Sequence, residues 1–203
     1  MARLPRDVEA LIARQSGEII RRSFEKQVTA RFNAIKRRMI REFLDHPITK
    51  EILAGPSSPN ISGTLGGYGN LFSYIGFYDG DEPIQPILDL FEKTALQFVG
   101  TVPDGANWTI FMPAREDVWE VSPMPWASGR SWARGIETGI SGIGQYLYDQ
   151  RTSLKNSRSG TAIQTQQGKI RGKTRFKNVK YISAILAKYE KEFSNLDETA
   201  ISA

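Results

Sequence analysis

Between Pro5 and about Leu44 the apolar residues Val8, Leu11, Ile12, Ile19, Phe24, Val28, Phe32, Ile35, Met39 and Phe43 recur mostly at spacings of three and four. That is the period of an α-helix, so the pattern predicts a long amphipathic helix at the N-terminus. Pro5 suits a first helical turn, and Pro47 disfavours helix at His46 and marks the end. About 40 residues rising about 1.5 Å each would span roughly 60 Å, longer than a body of this size covers, so part of the helix is expected to meet another subunit.

The pattern then breaks. Residues 55–70 hold Pro56, Pro59 and five glycines, which predicts a long loop. Leu71–Tyr78 is aromatic and reads as a strand, and Pro86–Val99 reads as a short helix carrying Ile87, Leu90, Phe91, Leu96 and Phe98. Trp108–Met112 and Asp117–Val121, separated by four residues, read as two antiparallel strands around a turn. Helical spacing returns over Ser131–Tyr148 through Trp132, Ile136, Ile140, Ile143 and Leu147. There Gly135, Gly139 and Gly142 share one face, where another backbone could approach closely. Val179–Phe193 predicts a last short helix. The fold class is therefore α+β: a long N-terminal amphipathic helix, a small mostly antiparallel sheet, two or three shorter helices and an extended basic arm. The divisions fall at 1–46 for the long helix, 47–150 for the core, 151–180 for the arm and 181–203 for the last helix and tail, within one domain.

Charge sharpens this picture. The formal net charge of +5 conceals a segregation. Residues 1–50 carry 12 basic and 6 acidic groups, residues 51–150 carry 4 basic and 12 acidic, and residues 151–180 carry 9 basic and no acidic. An acidic body flanked by basic segments attracts polyanions or copies of itself. Within the arm, Lys169, Arg171, Lys173, Arg175 and Lys177 alternate strictly, so on a strand they share one face while Ile170 and Phe176 share the other. Three readings stay open for it: a strand docking on a neighbouring subunit, a contact to nucleic acid, or a solvated tail. Phe176 is its only aromatic residue, which supports base stacking weakly.

Catalytic chemistry finds little foothold. The 203 residues contain no cysteine and one histidine, which excludes thiolate nucleophiles and the familiar zinc ligand sets. His46 reads as a cation at the negative end of the long helix. The glycine-rich stretch 63–70 lacks the Gly-Lys-Ser/Thr ending of a phosphate loop. Glu116, Asp117 and Glu120 could supply paired carboxylates, and a solvated turn accounts for them more simply. No metal and no cofactor is expected. No run approaches the roughly 20 apolar residues that span a bilayer, and the N-terminus lacks the apolar stretch of a signal peptide, so a soluble protein without a membrane partner is expected.

Three features together, the long helix, the segment SGTLGGYGNLFSYIGF (62–77) and the segment PMPWASGRSWARGIETGISGIGQYL (123–147), resemble the neck or tail-completion proteins of tailed bacteriophages. Gly63, Thr64 and Leu65 correspond loosely to a small-residue loop leading into a strand in some of those proteins. The resemblance implies a non-enzymatic virion protein, assembled in the host cytoplasm, that forms a ring around the DNA path in the head-tail connector. Its partners would be copies of itself, portal, adaptor or tail proteins, and passing DNA without sequence specificity. The interface or DNA-facing candidates are Lys169, Arg171, Lys173, Arg175, Lys177, Phe176, Trp126, Trp132, Gly135, Gly139 and Gly142. The alternative is a sequence-independent DNA-binding protein that uses the basic arm.

Overall fold

The long helix forms. In the computed structural model, which describes residues 6–65, 70–102, 105–125, 127–139 and 177–196, helix α1 runs uninterrupted over Arg6–Asp45. Val28, Phe32, Met39 and Phe43 are buried along one side of it and start the hydrophobic core. At about 100° per residue, the step of five from Ile19 to Phe24 turns the apolar pattern by about 140°. Positions 8, 11, 12 and 19 therefore fall on a different side of α1, and Asp7, Arg14 and Arg21 hold the positions in line with the buried stripe. The single amphipathic face expected from the spacing is in fact two.

His46 breaks the helix with extended backbone (ψ 135) and opens α2, Pro47–Leu53. The expectation of a cationic imidazole at the end of α1 needs correction. The His46 ring caps the next helix, its Nδ1 accepting from Ile48 N at 3.3 Å, and it packs 4.7 Å from the Tyr181 ring. An accepting Nδ1 carries no proton. Burial pushes the imidazole below its ordinary 6.5, with Glu42 pulling the other way. The folded state therefore binds fewer protons than the unfolded chain, so this contribution to stability is whole above pH 6.5 and is lost as pH falls through the depressed folded value. His46→Asn keeps a capping acceptor, and its urea midpoint is expected to change less than wild type between pH 7 and pH 5. Equal acid sensitivity in the two proteins would contradict this.

The middle of the chain differs from the sequence expectation in three places, each for a local reason. Leu71–Ile75 is helix α3 and not a strand: the Asn70 side chain accepts from Ser73 N at 2.9 Å and Gly76 ends the turn with a φ of 89°. The helix expected over Pro86–Val99 stops early. Helix α4, Gln85–Glu92, gives way to strand β1, Ala95–Val102, after Lys36 of α1 donates to the carbonyl oxygens of Glu92 and Thr94. Strand β2, Gly105–Phe111, pairs antiparallel with β1, matching Leu96 with Ile110 and Phe98 with Trp108. Arg115–Glu120, expected to be a strand, is helix α5, and Asp117 accepts from Ala114 N at 2.7 Å in its first turn. A second small antiparallel pair joins β3, Pro123–Met124, to β4, Ala127–Ser131.

Helix α6, Trp132–Thr138, is shorter than expected, and helix α7 occupies Ile182–Ser194. One core cluster draws on α1, α2, α3, α4, α6 and α7, from Val28 to Leu196. Phe43 links its parts, meeting Phe91 edge-on at 5.0 Å and stacking at 6.1 Å on Tyr181. Among the described residues the fold is α+β, with helices predominating and two small antiparallel pairs.

Candidate assembly surface

The segments that carried the resemblance meet at one place. Two buried carboxylates, which no local pattern in the sequence singles out, arrange it. Glu51 on α2 is fully buried and accepts from Ser62 N at 2.6 Å and from Leu71 N at 2.7 Å, so it clasps both ends of the glycine-rich loop. Asn70 adds a second tie by donating to the carbonyl oxygens of Pro56 and Ser58. Glu137 on α6 accepts from Tyr181 N and Ser183 N and from the Ser183 hydroxyl, which caps α7 from outside its own chain segment. Both carboxylates are saturated with hydrogen-bond donors, which is the arrangement of structural anchors. Tyr181 completes this side: its hydroxyl shares a 2.6 Å hydrogen bond with Thr49, and burial raises its pKa far above the phenol range.

The basic arm returns to the body here. Lys177 N donates to Thr64 O at 3.1 Å and Val179 N donates to Ile136 O at 3.3 Å. A Cβ placed on Gly139 would lie 3.6 Å from Asn178 Oδ1. The chain thus leaves the described body at Gly139 and re-enters it at the same spot.

Beside this junction lies a groove of about 610 Å³ lined by Trp119, Met124, Gly129, Arg134, Gly135 and Gly139, among others. The Arg134 guanidinium sits over the Trp119 ring at 5.1 Å. Of the predicted glycine face, the described residues show two members at this groove, Gly135 and Gly139, but α6 ends between them. Gly139 stops the helix with a φ of 100°, so its conformation, and not a continuing helical face, is what demands glycine. Gly139→Leu is expected to cost about 1–3 kcal/mol through backbone strain, and Gly139→Ala nearly as much, because the Cβ alone meets only ordinary contacts. A denaturation series in which alanine is harmless and leucine is not would restore overpacking as the cause.

The other predicted site residues divide cleanly. Trp132 is 1% exposed, edge-on to Phe77 at 5.9 Å, and it anchors its own core. Its backbone N–H bonds Ser122 O, and Ser131 caps α6 by accepting from Arg134 N. Lys177 is exposed at the root of the arm. Trp126, Gly142, Lys169, Arg171, Lys173, Arg175 and Phe176 lie outside the described residues. The acids weighed for hydrolysis do not share a cleft: Glu120 lines the groove beside Gly139, Glu116 lines another, and Asp117 caps α5. Among the described residues no cluster of histidine and acidic side chains could hold a metal ion, and no helix is long and apolar enough to cross a membrane. No family model matches the chain, and comparison with curated proteins and with solved structures finds no match.

Proposed function

We propose that this chain is a structural, non-enzymatic virion protein of a tailed phage, a neck or tail-completion subunit that assembles with copies of itself into a ring around the DNA path. The observation that carries the reading is the second apolar stripe of α1. Arg6 lies roughly 33 Å along the helix from Val28, and positions 8, 11, 12 and 19 point the pattern away from the stripe that the body covers. An apolar helical face of this kind is covered by another element. The segregated charge supports the same conclusion, because an acidic body and a basic arm on one chain suit head-to-tail contacts, and heterologous contacts of that kind close into rings. Portal, adaptor or tail proteins would cover the faces above and below.

Native mass spectrometry and negative-stain microscopy of the purified chain, alone and with portal or tail partners, test the proposal. A closed oligomer is expected. Leu11→Ser combined with Ile19→Ser is expected to dissociate it while leaving the urea midpoint nearly unchanged. A monomer indifferent to every virion partner would overturn the assignment.

One observation favours sequence-independent DNA binding as a second reading: Lys26, Arg37 and Arg41 are exposed along one side of α1. Phosphate contacts make affinity fall steeply with salt. Submicromolar binding of a DNA duplex by the monomer, abolished by Arg37→Gln with Arg41→Gln, would favour this reading over assembly.

A further inference from the structure

A second groove, of about 830 Å³, runs between β2, the start of α5 and α7. Trp108, Thr109 and Ile110 all line it, although consecutive strand residues point to opposite faces of a sheet, so it follows the edge of β2. β1 occupies the other edge, and no further strand pairs with β2 among the described residues. That edge has none of the usual protection. From Ala95 to Val102 and from Gly105 to Phe111 neither strand contains a charged residue or a proline. The wall adds the Trp108 indole N–H, a donor that lacks an acceptor among the described residues. Leu186 and Phe193 give the groove an apolar floor, and the exposed carboxylates of Glu116 and Glu190 stand at its rim.

We propose that this groove receives residues 169–176 of a neighbouring copy as an added strand. This rests on the ring assembly inferred above and names its contact. The match is of three kinds. An unguarded strand edge offers main-chain hydrogen bonds to an extended segment, which is the usual chemistry of strand addition. The alternation in GKIRGKTRF sets Ile170, Gly172, Thr174 and Phe176 on the side that would meet Leu186 and Phe193. The basic residues on the other side pass the rim carboxylates of Glu116 and Glu190. Reach is sufficient as well. The 37 residues between Gly139 and Lys177 begin and end at one spot on the body, so their midpoint can extend up to about 60 Å from it. Because each chain carries both the segment and the groove, every subunit gives one strand and receives one, as a heterologous ring requires.

The absence of cysteine from the sequence makes the test clean. Ala187 is exposed and lines the groove, so Ala187→Cys leaves the core intact. Mixing that variant with Thr174→Cys under copper-phenanthroline oxidation is expected to yield a mass-resolved disulfide heterodimer. Adding Glu116→Lys and Glu190→Lys to the groove-bearing variant is expected to suppress it. Wild-type assembly is measured in parallel by native mass spectrometry. If the chain assembles and no heterodimer forms, the docking is overturned and the ring reading stands. A link found only within one chain, in the double-cysteine variant, overturns docking between copies. A chain that stays monomeric overturns the ring reading, and the docking falls with it.

Discussion

Replacing Glu51 with alanine is expected to lower stability by about 3–5 kcal/mol. Two buried backbone N–H groups, those of Ser62 and Leu71, lose their acceptor at once, and a buried donor left unpaired costs about 1–3 kcal/mol, more where the lost partner is charged. At 2–4 °C per kcal/mol for a chain of this length, the melting temperature should fall by roughly 10 °C. Glu51→Gln is the informative control. Its amide keeps one acceptor but turns an NH2 group toward the other N–H, so it should recover only part of the loss. Thermal and urea denaturation of the three proteins decide the matter. A change below about 1 kcal/mol in the alanine variant would mean that the loop is held by Asn70 and not by the carboxylate.

Trp132→Ala is expected to cost about 3–5 kcal/mol, the range for removing a large aromatic side chain from a core. Trp132→Phe keeps an aromatic ring against Phe77 and should cost far less, about 1.5 kcal/mol or below. The contrast separates a packing anchor from an interface residue. A packing anchor weakens the isolated subunit in urea, whereas an interface residue leaves that midpoint unchanged and weakens assembly. Finding the second pattern would place Trp132 in a contact between copies.

What the sequence disclosed depended on how far each signal reached along the chain. The spacing of Val28, Phe32, Met39 and Phe43 repeats within one helix, so α1 and its buried stripe were legible, as was α7 through Ile185, Leu186, Tyr189 and Phe193. The bracketing of α3 by Asn70 and Gly76 is also a local signal, but the aromatic composition of Leu71–Tyr78 outweighed it. In the same way, Glu116 and Asp117 following Pro113 announce a helix start at α5. The hairpin was misplaced because Leu96 and Phe98 extend the helical spacing of Ile87 and Phe91 by chance. The junction was not legible at all. Glu51 meets Leu71 across 20 residues and Glu137 meets Tyr181 across 44, and nothing in the neighbourhood of either glutamate foretells its partner.

The contact between Gly139 and Asn178 has a consequence for how this protein tolerates change in length. A segment whose two ends touch is a closed excursion, and the body registers only where it departs and returns. Lengthening such an excursion costs loop-closure entropy that grows slowly, about 0.6 kcal/mol for each doubling. The segment between Gly139 and Lys177 is therefore free to lengthen, shorten or exchange its chemistry without any rearrangement of the helices and strands that hold its ends.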